Sequence, residues 1–454
     1  MQSNRMDPDN KISRRSFLRV IAGLSAAGAL SACGQAASSA AGAASTSESE
    51  PGQVYYLNFK PEADALWQEL AAQYTALTGV SVRVETASGG IYRTTLQAAM
   101  ESDTPPTLFQ CGNQADLAYW MNYCLDLTDT ALHDEMTTDD FNLLDNEKRV
   151  RCIGYCYEAF GLIVNKPLLA QAGYTPRNIT NFASLKTIAE DITARHAAGE
   201  LPFAAFAPAG LDVTSSWRFS GHLANMPLFY QFRDDGISTR QPAAIRDAYL
   251  DNYRKIWDLY TANSDVPADE LAAVTGEQVR DSFGTGQAVF YQNGSWEYDT
   301  LVNDYGMNPA DLQMIPLYCG VNGEEKAGLC CGTENCWAIN RTSTPADIKA
   351  TLDFLLWVVT DPESTQMLAN RLGHLPFKKA KTSPNVFFAD ANALLAAGCY
   401  TVGWAFKMTP NTEQWREDLV EALNAYTVGA DDWDGVVSAF VDGWATHYEL
   451  QSTV

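Results

Sequence analysis

Between residues 53 and 110 the apolar positions switch back and forth between two spacings. Residues 53–59 (Gln-Val-Tyr-Tyr-Leu-Asn-Phe) form a compact apolar run of strand length. Residues 62–78 then carry apolar side chains at 66, 67, 70, 71, 74 and 77, the spacing of one helix face, and Gly79 supplies a C-cap. Alternation returns at 80–86, helical spacing at 91–102, and a short buried strand at 105–110. This succession predicts parallel strands joined by crossover helices, an α/β fold. In such sheets ligands bind beyond the carboxyl ends of the strands. Those ends are Phe59-Lys60, Ser88-Gly89-Gly90-Ile91-Tyr92 and Gln110-Cys111-Gly112-Asn113. Further strands are expected at 159–165, 288–292 and 337–340, with helix at 167–172, a long helical middle from 182 to 283, and helix at 346–372.

The first fifty residues follow another pattern. Ser13-Arg14-Arg15-Ser16-Phe17-Leu18-Arg19 leads an apolar run from Val20 to Leu30, which closes in Leu30-Ser31-Ala32-Cys33. About ten apolar residues suit an export signal, whereas a membrane-spanning helix needs ~20. The paired arginines resemble the twin-arginine signal, and Leu-Ser-Ala-Cys resembles the lipobox of bacterial lipoproteins. Residues 1–32 are therefore expected to be a signal peptide and Cys33 the lipidated first residue of the mature chain. Residues 33–51 are small and polar and read as a flexible tether. The expected location is the outer face of the cell membrane.

Charge narrows the partners. The chain has 31 basic and 55 acidic residues; residues 1–32 hold five and two of these, so the remainder carries 26 and 53, a formal charge of −27. Such a polyanion repels phosphate backbones and acidic lipid headgroups, so no nucleic acid is expected, and no membrane contact beyond the lipid anchor. Eleven Trp and twenty Tyr are enough to build stacking surfaces as well as a core.

Several segments, in order, resemble one family. They are Leu57-Asn-Phe-Lys60, Tyr74 with Thr78-Gly79-Val80, Pro105-Pro-Thr-Leu-Phe109, Phe160-Gly-Leu-Ile-Val-Asn-Lys166 with Ala172-Gly173, Phe283-Gly-Thr-Gly-Gln-Ala-Val, Asn293-Gly-Ser-Trp296 and Thr333-Glu-Asn-Cys-Trp337. Together they resemble the extracellular solute-binding proteins of ABC sugar importers, the maltose-binding-like class. Thr107 and Val164 stand where that class usually has Asp and Tyr. The resemblance implies a two-lobed periplasmic-binding-protein-like fold of type II, with three interlobe crossings and a ligand cleft. The crossings are expected near 157, 296 and 340, giving an N-terminal lobe of 52–157 plus 297–340 and a C-terminal lobe of 158–296 plus 341–454. It implies a monomer that captures a sugar or oligosaccharide and delivers it to ABC permease subunits, with no catalysis and no cofactor.

A sugar presents hydroxyls around one weakly apolar face, so its site needs aromatic platforms and polar side chains. By resemblance Trp296 is the platform. Lys60, at the end of the first strand, can donate to hydroxyls, and Tyr92 follows the flexible Gly89-Gly90. Gln110, Asn113 and Asp116 hang on the next strand end. Glu334 and Asn335 form a polar loop before a strand. Trp217 belongs to a stretch that relatives place on the second lobe, where Arg218 and His222 are expected to hold the loop together, and Trp404 is expected to cover the site. Alternatives are an importer receptor for polyols or another small polar solute, a cell-surface carbohydrate adhesin, and a secreted glycosidase, which would need two carboxylates ~5–9.5 Å apart. No Gly-x-Ser-x-Gly or His-Glu-x-x-His motif is present. Nine cysteines follow Cys33, an odd number, with Cys152 and Cys156 expected on one face of a strand and Cys330, Cys331 and Cys336 near a loop. None has paired CxxC spacing, so no metal is expected and most should be buried as small hydrophobes.

Overall fold

The computed structural model describes residues 52–452 apart from 88–90, 238–240, 334 and 374. The expected signal peptide, Cys33, the tether up to residue 51, Gly89, Gly90 and Glu334 lie outside the described residues. The chain opens with strand β1 (Val54–Asn58), helix α1 (Asp64–Thr78), β2 (Val82–Thr86), α2 (Tyr92–Met100), β3 (Leu108–Cys111) and α3 (Gln114–Trp120). Helix α1 buries Leu66, Trp67, Leu70, Ala71 and Tyr74, the expected face; Leu77, in its last turn, is 42% exposed. Gly79 takes the left-handed conformation (φ 78°) and its N–H closes the helix on the Thr75 carbonyl. Strands β1, β2 and β3 are parallel, as the alternation predicts.

After β4 (Leu143–Leu144) and β5 (Val150–Gly154), the chain builds a second sheet from β6 (Glu158–Asn165), β7 (Ala204–Phe206), β8 (Ala288–Gly294), β9 (Leu312–Ile315) and β10 (Ala327–Gly332). It returns with β11 (Cys336–Ile339), α4 (Pro345–Thr360) and α5 (Pro362–Leu372), and finishes with α6 (Val386–Ala396), β12 (Tyr400–Gly403), α7 (Thr412–Thr427) and α8 (Trp433–Ser452). The first sheet runs β2-β1-β3-β11-β5-β4 and the second β12-β10-β6-β8-β7, with β9 also paired to β6. Apolar clusters cover both faces of each sheet. The architecture is two α/β layers-of-three, as expected.

The lobe boundaries differ from expectation at two places. Trp296 does not lead into the first lobe. Tyr298 and Leu301 turn back into the core of the second sheet, and β9 and β10 both pair with β6, so residues 297–332 belong to the second lobe. Nor does the chain leave the first lobe at 340. Phe354, Leu355, Val358 and Leu368 of α4 and α5 pack with Trp67 and Tyr74 of α1, because their apolar spacing matches the outer face of the first sheet. The passages lie between Gly154 and Glu158, between Gly332 and Cys336, and between Phe377, bridged to Met136, and Val386.

Other expectations are also revised. The middle segment is broken by β7, and Asp361-Pro362 divides residues 345–372 into two helices, since Pro362 cannot donate to the preceding turn. Cys152 and Cys156 join opposite clusters because β5 ends between them at Gly154, and Cys330 and Cys331 lie within β10. The two atypical residues are scaffold: Thr107 Oγ1 accepts from the Tyr55 N–H and lies 2.8 Å from Thr351 Oγ1, and Val164 is in the second core.

Candidate functional site

The passages bring one polar group and one aromatic group together where the two sheets meet. Lys60, just past the end of β1, places its Nζ 2.7 Å from Oε1 of Glu158, the first residue of β6, and 2.8 Å from Oε1 of Glu62. Glu158 also accepts from Asn335 Nδ2 at 2.8 Å. The side chains of Lys60 and Glu158 are only 7% and 5% exposed. Burial pulls the Lys60 ammonium down, but Glu158 and then Glu62 hold it well above its ordinary value. Burial raises the Glu158 carboxyl, with Lys60 opposing. Burial acts likewise on Glu62, but there Lys60 prevails and keeps the carboxyl low.

The aromatic group comes from the second lobe. Lys60 Nζ stands 5.9 Å from the ring centre of Trp296, which packs 5.9 Å from Trp217 and 5.3 Å from His222. His222 stacks on Phe160 at 4.1 Å, and Trp404 and Phe406 complete the wall. The Asn293-Gly-Ser-Trp motif has a local cause: a Cβ on Gly294 would overlap the Trp296 ring. Trp217 directly precedes, and His222 lies within, a wide π-helical turn, Arg218–Leu223, a geometry associated with functional sites. Trp217 and Trp296 remain half-exposed. The His222 Nδ1 and Trp404 Nε1 atoms are buried without a hydrogen-bond partner, a state that costs about 1–3 kcal/mol for each such group. Burial first, then Arg416 and Arg218, hold the His222 imidazole well below its ordinary value, so it is neutral at pH 7.

Of the expected site residues, Lys60, Trp217, Trp296 and Trp404 converge here. Gln110 does not. Its Oε1 accepts from the Phe59 N–H and the Tyr56 hydroxyl, and its Nε2 donates to Tyr155 and Asn335, so its amide is consumed within the first lobe. The Tyr92 hydroxyl is likewise committed, donating to the Leu57 carbonyl and accepting from the Gln110 N–H. Asn335 is fully buried and supports Glu158 from behind. Asn113 caps α3 by accepting from the Asp116 N–H. Asp116 accepts from the Gly112 N–H, and burial raises its carboxyl, opposed by Gly112, Arg93 and Lys407. Arg218 holds its loop through the Gln292 and Pro208 carbonyls and Ser215, but His222 is part of the aromatic wall instead. Glu62, Glu158, Phe160, His222 and Phe406 were not expected in the site. Glu158 had a readable signal, the lone carboxylate of a strand that is apolar up to its last residue, Asn165, and buried throughout.

Further contacts join the lobes nearby. Arg371 of α5 pairs with Asp299 at 2.7 Å while donating to the Glu62 carbonyl, and Lys407 donates to the Thr333 carbonyl. Among the described residues no helix is long and apolar enough to cross a membrane.

Residues 69–394 match the family described as bacterial extracellular solute-binding protein. No curated relative matches the sequence. Solved structures share the fold. The solute-binding protein RafE in complex with raffinose is 16% identical (TM-score 0.69), covering 87% of this chain and 99% of its own. Maltose-bound T. maritima MalE3 is 15% identical (TM-score 0.64; 88% and 99%). A sugar transporter from Bacillus licheniformis in complex with stachyose is 13% identical (TM-score 0.64; 87% and 100%).

Proposed function

Because the chain belongs to the bacterial extracellular solute-binding proteins, we infer that it captures a sugar or oligosaccharide between its lobes and presents it to the permease of an ABC importer. The observation that carries the reading is the junction itself: an aromatic wall from one lobe faces a lysine flanked by two carboxylates from the other lobe and the first passage. A sugar ring laid on Trp296 buries its C–H face, with Trp217 and Trp404 beside it. Lys60 and Glu62 answer its hydroxyls, and the unpaired His222 Nδ1 and Trp404 Nε1 gain partners. The likeness to raffinose-, maltose- and stachyose-bound structures supports the same ligand class.

A ligand that touches both lobes stabilises only the closed arrangement, so capture is a population shift about the three passages. No bond in the ligand breaks. The chain works outside the cytoplasm as a monomer, held to the outer membrane face through a diacylated Cys33, and a cytoplasmic ATPase drives uptake through the permease.

A thermal-shift screen over mono- and oligosaccharides tests this. A true ligand at a hundred times its Kd adds ~2.7 kcal/mol to the native state and raises Tm. Silence for every sugar with a shift for peptides would overturn it, and release of reducing sugar would point to the glycosidase.

A further inference from the structure

Away from the cleft, the first sheet holds a second concentration of chemistry. Cys111 ends β3, Cys152 lies in β5, and Cys124 follows α3. Their three Sγ atoms lie within 4.8 Å of one another, and each residue is at most 1% exposed. Strand β11 separates β3 from β5 in the sheet, so the sulfurs of Cys111 and Cys152 come together from strands that are not paired to each other. Cys336 faces Cys111 in register but directs its Sγ to the Phe141 carbonyl at 3.5 Å.

We propose that Cys111, Cys124 and Cys152 bind one soft monovalent metal ion, of the copper(I) class, as a three-thiolate centre. A metal–sulfur bond of about 2.3 Å puts the sulfurs of a trigonal centre ~4.0 Å apart, within the observed spread. Thiolates select soft ions such as Cu(I), and also zinc. Zinc takes four ligands in structural sites, and no fourth His, Cys, Asp or Glu joins this group among the described residues. Three donors without a fourth therefore match the trigonal coordination of the monovalent ion rather than the four-ligand set of structural zinc. Binding forms three metal–sulfur bonds and releases the thiol protons to solvent, with no change of oxidation state. Occupancy ties β3, β5 and the segment after α3 together, behind the strand end that carries Gln110. The inference rests on sulfur geometry and is independent of the sugar reading.

The test is anaerobic titration of the reduced, metal-free chain with Cu(I) against a competing chelator. One copper per chain is expected, with a sulfur-to-copper ultraviolet band and an X-ray absorption shell of three sulfurs. Zinc should bind at least tenfold more weakly. Cys124→Ala should weaken copper binding at least tenfold, while Cys319→Ala, in the second core, should not. Absence of stoichiometric copper, a shell of two or four sulfurs, equal zinc affinity, or full uptake by Cys124→Ala would each overturn the proposal. So would a native disulfide within the trio followed by no uptake after reduction. If Cys124→Ala fails to fold, the absorption shell of the unmutated protein decides.

Discussion

Replacing Lys60 with Met would leave Glu158 buried against the second sheet without its counter-ion. The two side chains are 7% and 5% exposed, so solvent can do little to compensate. Breaking a buried ion pair by deleting one member costs about 3–5 kcal/mol at neutral pH, because a charge stays behind in a poor solvent. The pH dependence makes the cause identifiable. Burial already raises Glu158 in the native chain; without the ammonium nothing nearby opposes it except the Asn335 hydrogen bond, and it rises further. A carboxyl raised in the fold supports the native state below its unfolded pKa and loses that support as pH rises through the folded value. Glu62 acts in the same direction: Lys60 holds its carboxyl low, a contribution present at neutral pH and absent from the variant. The stability deficit of Lys60→Met should therefore grow with pH, from about 1–3 kcal/mol when Glu158 is protonated and merely underpaired to the full value near pH 8. Urea unfolding at pH 5 and pH 8 measures it. Lys60→Met combined with Glu158→Gln should recover much of the neutral-pH loss. An equal deficit at both pH values, or no recovery in the double variant, would refute the account.

Trp296→Ala should weaken sugar binding in calorimetric titration by more than ~2 kcal/mol, as anchoring aromatics do. Its half-exposed ring should cost the ligand-free protein less than the ~3–5 kcal/mol of a core Trp, and a larger apo loss would assign it to the core. His222→Phe should weaken sugar binding about tenfold. Because burial holds this imidazole well below 6.5, the unfolded chain takes up the proton first and native stability declines as pH falls through that value; the variant should lose that part of the slope, and an unchanged pH profile would show that His222 does not supply it. Cys33→Ala should release the protein from membranes on fractionation, and retention would show that the anchor lies elsewhere.

How much was legible depended on how far along the chain the signal ran. The period of α1 and the parallel β1-β2-β3 unit could be read because each buried face repeats within a few residues. Strands β9 and β10 could not. Leu312–Ile315 is four residues long, and Ala327–Gly332 is buried throughout except at its last residue and built of small side chains, so neither shows alternation. Missing them made Trp296 look like an exit from its lobe. In the site, Trp296 was readable from its motif, and Lys60 from its strand end. Gln110 and Tyr92 stood at equally promising strand ends, but their partners, Tyr56, Tyr155 and Leu57, come from elsewhere in the fold and use up their hydrogen-bonding capacity. The Cys111–Cys124–Cys152 group escaped spacing rules for the same reason, since its members meet only after the sheet is assembled.

The placement of β11 also orders events in time. It is a four-residue strand wedged between β3 and β5, made only after five of the six strands of the second sheet. As the chain emerges from the ribosome, everything up to Gly154 exists early, yet β3 and the β4–β5 pair each present an open edge that nothing local can close. The lobe that begins first therefore cannot finish until the other is largely built. A nascent chain halted between Gly154 and Cys336 carries two unpaired strand edges into whatever compartment it occupies.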